Sequence, residues 1–68
     1  MDEIRMAIRG EIDRQGMKDA YVAGQSGMSV QAFSAMMNGR RKLYADELVR
    51  IADVLRVDIK DLTSQAGR

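Results

Sequence analysis

The run Asp19-Ala20-Tyr21-Val22-Ala23-Gly24-Gln25-Ser26-Gly27-Met28-Ser29-Val30-Gln31-Ala32-Phe33-Ser34-Ala35-Met36-Met37 leads directly into Asn38-Gly39-Arg40-Arg41-Lys42. Between Ala20 and Gly39 there is no charged residue, in a chain that is 31% charged. Two short helical patterns flank the break Gln25-Ser26-Gly27-Met28-Ser29. Gly27 suits the position after a helix end, where a left-handed backbone is needed and glycine adopts it without steric cost. Ser29 suits the next N-cap, its hydroxyl accepting from an otherwise unpaired N–H. Phe33, Met36 and Met37 fall at i, i+3 and i+4, a single apolar stripe. The opposite face carries Val30, Gln31, Ser34, Ala35 and Asn38. A solvated helix face normally carries Lys and Glu. This one is small, uncharged and partly amide, which suits contact with base edges in a DNA groove. The same surface also suits docking of another protein, and the residues alone leave that alternative open.

A small residue at Ala23, a turn glycine four later at Gly27 and an apolar anchor six beyond it at Phe33 give the spacing of a helix-turn-helix. The segment Gly27-Met28-Ser29-Val30-Gln31-Ala32-Phe33-Ser34-Ala35-Met36-Met37-Asn38-Gly39 resembles the recognition unit of the lambda-repressor/Cro group, the XRE family. A later run, Ile51-Ala52-Asp53-Val54-Leu55-Arg56-Val57 followed by Leu62, resembles that family's fourth helix and its exit. The resemblance implies an all-α, five-helix lambda-repressor-like domain whose third helix enters the major groove. By position it implies base reading by Val30, Gln31, Ser34 and Ala35, and a phosphate contact at Asn38. It also implies backbone contacts along Arg40, Arg41 and Lys42, with Arg41 near a base. Two departures stand out. The family usually places Gln at the start of helix two to meet a phosphate; here stands Asp19, whose charge a phosphate repels, with Lys18 beside it to compensate. Gly often precedes Val57 in the family; here it is Arg56.

The remaining chain supplies a small helical frame. A first helix is expected from Asp2 or Glu3 to Gln15, with Ile4, Ala7, Ile8, Glu11 and Ile12 along one side and Gly16 as its stop. Gly10 interrupts it, and close approach of a neighbour is one reason for a glycine there. Helix two is expected from about Lys18 to Gln25, helix three from Val30 to Met37 and helix four from Ala45 to Leu55. Leu48, Ile51, Ala52 and Leu55 then line one face, and Asp46 and Glu47 sit in the first turn. A short fifth helix follows Asp58, with Asp61 placed as in a capping box. Tyr21 and Tyr44 read as half-buried. Residues 1–62 form the domain, and 63–68 read as a short frayed tail.

Sixty-eight residues allow one domain with a small core, for which all-helical packing or dimerisation is a help. The chain has no Cys and no His, so thiolate metal sites and the commonest general base are excluded. The scattered carboxylates Asp13, Asp19, Asp46 and Glu47 read as helix-end acids, and no enzyme and no cofactor are expected. No apolar run approaches the ~20 residues of a membrane span, and Met1-Asp2-Glu3 is no signal-peptide start, so a cytoplasmic location is expected. Net charge is only +1, yet Arg40, Arg41 and Lys42 are consecutive and no acid lies between Asp19 and Asp46. The expected function is a small phage or prokaryotic repressor of Cro type, binding double-stranded palindromic DNA as a homodimer. Arg56, Val57 and Ile59 are the expected dimer contact. The alternative is a protein interaction module, an antirepressor or antitoxin-like adaptor that keeps the fold.

Overall fold

A computed structural model describes residues 2–63, which form five α-helices: α1 (Glu3–Gln15), α2 (Asp19–Gln25), α3 (Val30–Met37), α4 (Ala45–Leu55) and α5 (Ile59–Thr63). No strand occurs among the described residues. Several boundaries have a local cause. The Asp2 side chain caps α1 by accepting from the Arg5 N–H at 2.9 Å, and its carboxyl is held below the usual range chiefly by that bond. Ser29 caps α3, its Oγ accepting from the Ala32 N–H at 3.1 Å. Asp61 accepts from the Asp58 N–H at 3.3 Å, the capping-box half expected at the start of α5. Of the expected tail 63–68, Thr63 lies in α5, its hydroxyl donating to the Ile59 carbonyl at 3.1 Å. The rest of that tail lies outside the described residues.

The turn between α2 and α3 decides how the two helices cross. Gly27 takes φ +74°, and the Met28 N–H donates back to the Ala23 carbonyl at 2.9 Å. The left-handed step reverses the chain and leaves the last carbonyls of α2 satisfied. Arg50 of α4 fixes the turn from outside, its Nε–H donating to the Ser26 carbonyl at 2.8 Å. At the end of α4 the same left-handed step falls on Arg56, at φ +59°. A side chain there strains the backbone by on the order of 1 kcal/mol. The Val57 N–H nonetheless closes the turn on the Ala52 carbonyl at 3.1 Å.

One core lies where the five helices meet. Ile8, Ile12, Val22, Phe33, Met36, Ile51, Leu55 and Leu62 are fully buried within it. Each such side chain contributes roughly 1.5–3 kcal/mol by leaving water. The i, i+3, i+4 stripe of α3 is the inward face, as its spacing requires. Long polar reaches tie the layers together. The Gln15 amide donates to the Leu55 carbonyl at 2.7 Å, and one Arg5 Nη donates to the Arg41 carbonyl at 3.0 Å. Arg5 Nε also donates to the Met36 carbonyl, so α1 holds both the end of α3 and the loop beyond it.

Gly10 is not explained by a close neighbour. A Cβ built there meets nothing within 4 Å. Gly10→Ala is therefore expected to stabilise the domain by up to about 1 kcal/mol, by favouring the helix and restricting the unfolded chain. Chemical denaturation checks this, and a loss of stability on substitution would show that the α1 surface at Gly10 is covered.

Candidate nucleic-acid interface

Ser29 and Gly27 set the start of α3, and Phe33, Met36 and Met37 fix its rotation. The face turned outward is then determined. Val30 exposes 51% of its surface, Gln31, Ser34 and Asn38 are exposed, and Ala35 is half-buried. Val30 therefore belongs to the outer face and not to the rim of the core. No charge stands on this face, and its polar groups are an amide on Gln31, a hydroxyl on Ser34 and the Asn38 amide. Asn38 Nδ2 lies 3.5 Å from Ser34 Oγ, a long contact that leaves both groups largely available. A surface of this kind desolvates at low cost and presents donors and acceptors that match base edges.

Beyond α3 the chain turns through Gly39, at φ +78°, and the Arg40 N–H returns to the Ala35 carbonyl at 2.9 Å. The basic run that follows is not three equivalent cations. Arg40 and Lys42 are exposed. Arg41 is half-buried, and its guanidinium grips the Glu47 carboxylate with two hydrogen bonds of 2.9 and 2.8 Å. It also donates to the Lys42 carbonyl at 3.0 Å and lies 5.6 Å from the Tyr44 ring centre, a cation–π distance. Glu47 is buried, and Arg41 is the main reason its pKa falls to about 2. Glu47 Oε1 accepts the Tyr44 N–H at 3.1 Å as well, so one carboxylate caps α4 and holds the loop. Tyr44 itself, like Tyr21, exposes 54%, slightly more than the half expected.

At the start of α2 the charge of Asp19 is met from α1. Arg9 of α1 covers both Asp19 oxygens, at 2.9 and 2.7 Å, and lowers the Asp19 pKa. Lys18 precedes it, exposed and without side-chain bonds among the described residues. The expected dimer residues divide. Ile59 exposes 37% and Arg56 is exposed, whereas Val57 packs partly against the core.

Sequence reasoning missed Arg5, Arg9 and Arg50. Arg5 carried a signal: it stands three before Ile8 and seven before Ile12, so it shares their inward face. Arg9 and Arg50 each stand four residues from an acid on their own helix, Asp13 and Asp46, which reads as an ordinary solvated pair. Their partners on other elements, Asp19 and the Ser26 carbonyl, are met only once the helices pack.

Five short helices around one core, with a left-handed glycine turn between α2 and α3 and an uncharged second helix turned outward, define a helix-turn-helix domain. The chain belongs to the Cro/C1-type helix-turn-helix DNA-binding domain family, whose model matches residues 7–64. No curated protein and no solved structure matches the chain. Among the described residues no helix is long and apolar enough to cross a membrane, and no cluster of metal-ligating side chains occurs.

Proposed function

We propose that this chain is a sequence-specific transcriptional repressor of the small phage or prokaryotic type, acting by occupancy of a palindromic operator as a homodimer. The observation that carries the reading is the exposed, charge-free face of α3, with exposed cations at Arg40 and Lys42 beyond its end. Val30, Gln31, Ser34 and Ala35 face the bases. The Gln31 amide matches adenine N6 and N7, and Val30 and Ala35 suit thymine methyls. Asn38, Arg40, Lys42 and Lys18 meet phosphates. Arg41, held by Glu47, adds charge to the same wall with fewer free donors. One recognition helix offers few base contacts, and two half-sites ~34 Å apart double them. Exposed Ile59 and Arg56, with the outer part of Val57, form the two-fold contact in this reading.

The test is a salt titration on cognate and scrambled duplexes. Gln31→Ala should weaken cognate binding by about 1–3 kcal/mol and leave scrambled DNA almost unaffected, because alanine cannot pair with a base edge. Replacing Arg40 or Lys42 with Ala should weaken binding to every sequence alike. The log–log salt slope should flatten by about 0.9 per protomer for every phosphate that is no longer neutralised. The same titration should saturate at two chains per palindromic duplex. If Gln31→Ala weakens both duplexes equally, α3 does not read bases. No binding to any duplex at low salt would leave a protein-docking module in place of the repressor.

A further inference from the structure

Arg9 spends only part of its hydrogen-bonding capacity on the fold. A guanidinium has five N–H donors arranged as forks. Three are used: Nη1 donates to Asp19 Oδ1 at 2.9 Å and more loosely to Asp13 Oδ1 at 3.5 Å, and Nη2 donates to Asp19 Oδ2 at 2.7 Å. The Nε–H and the second Nη2–H make no hydrogen bond among the described residues. The Arg9 side chain is 36% exposed. Its position is set from α2, since Asp19 holds it by two short bonds, and the residue next to Asp19 is the exposed cation Lys18. A chelated guanidinium loses less side-chain freedom on meeting a ligand than a free one, and the two spare donors suit an anion with two oxygens to offer.

We propose that Arg9, held by Asp19, is a DNA phosphate-binding residue, which with Lys18 grips the backbone on the α2 side of the recognition helix. The inference rests on the DNA-binding reading above and deepens it. It also gives Asp19 a role. Both of its oxygens are covered by guanidinium N–H groups, so an incoming phosphate meets the Arg9 fork and not a bare carboxylate. The other end of α2 is unsuited to an anion, because it presents carbonyls, and Arg50 already holds the one at Ser26. The cation that serves this wall thus comes from α1, outside the helix-turn-helix itself.

The experiment measures affinity and salt slope on mixed-sequence duplex DNA for the wild type, Arg9→Gln, Asp19→Gln, the double variant Arg9→Gln/Asp19→Gln, and Arg14→Gln. Arg14 forms a comparable exposed pair with Glu11 on α1, at 2.6 Å, and serves as the control. Arg9→Gln should weaken binding about tenfold and flatten the salt slope by about 0.9 per protomer. Asp19→Gln should leave the slope at its wild-type value. The double variant should stay as weak as Arg9→Gln. Restoration of wild-type affinity in the double variant would overturn the proposal, because Arg9 would then serve only to neutralise Asp19. An unchanged slope in Arg9→Gln, or an equal loss in Arg14→Gln, would overturn it too. Arg9→Lys keeps the charge without the fork and should retain the slope at intermediate affinity; a flattened slope there would count against a phosphate contact. Wild-type protein that binds no duplex would instead remove the DNA reading itself, so the two failures are distinct.

Discussion

Phe33→Ala is expected to unfold the domain or leave it barely folded. Phe33 is 1% exposed and is the largest of the fully buried side chains. It projects from the middle of α3 into the core formed by all five helices. Truncating a buried Phe to Ala costs about 3–5 kcal/mol, from the transfer free energy forgone and from the cavity left behind. A chain of this length is stable by roughly 3–10 kcal/mol in total, at 0.05–0.15 kcal/mol per residue. The loss therefore approaches the whole stability at the lower end. Where the variant still folds, each kcal/mol lowers Tm by about 4–8 °C in a domain of this size, so a fall of about 12 °C or more is expected. Thermal and denaturant unfolding measure it directly. Val30→Ala on the outer face is the matched control and should change stability by less than about 0.5 kcal/mol. A loss below about 1 kcal/mol in Phe33→Ala would place that ring at the surface and overturn the rotation of α3, and with it the choice of base-reading residues.

The parts of the fold that are legible in the sequence are those with local causes. Ser29, Gly27 and Gly39 set the bounds of α3 within a few residues of themselves, and the stripe Phe33, Met36, Met37 fixes its rotation. Helix α4 follows from Leu48, Ile51, Ala52 and Leu55 in the same way. What is not legible spans the chain. Arg5 reaches a carbonyl 36 residues away, and Gln15 reaches one 40 residues away. The inward register of Arg5 shows that it is covered, but no local pattern names the distant carbonyl that either side chain meets, because that partner is set only when another helix end is brought beside it. Asp19 looks like an obstacle to a phosphate for the same reason: its partner Arg9 lies ten residues back, on a different helix. Arg41 is hidden inside a run. Three consecutive cations read as one patch, yet the middle one faces the carboxylate at the start of α4. The first-turn position of Glu47 reads as a helix-end effect, which it is, but burial gives it the second role of holding the loop.

That second role predicts an acid-sensitive fold. Glu47 has its pKa lowered from an ordinary 4.5 to about 2, first by the Arg41 guanidinium and also by the Tyr44 N–H, against the opposing effect of burial. A carboxyl whose folded pKa lies below its unfolded value binds protons more tightly when unfolded. Its contribution is thus fully present above about pH 4.5 and is lost as pH falls towards 2. The full shift would correspond to about 3 kcal/mol. Arg41 is 32% exposed, so solvent screens the pair, and about 2 kcal/mol is the expected size. Asp2, Glu11 and Asp19 are also lowered and would blur the acid limb of the wild type alone. A difference measurement removes them. Glu47→Gln keeps the shape of the side chain and abolishes the charge, while leaving the other carboxylates as they are. At about pH 6 the variant should be about 2 kcal/mol less stable than the wild type in denaturant unfolding. The gap should narrow below pH 4.5 and nearly close by pH 2, as the wild-type carboxyl takes up its proton. A gap that stays constant across this window would mean that Glu47 acts through packing and not through its charge. In that case Arg41 would be available to phosphate after all, and Arg41→Ala would flatten the salt slope of DNA binding as fully as is expected of Arg40→Ala.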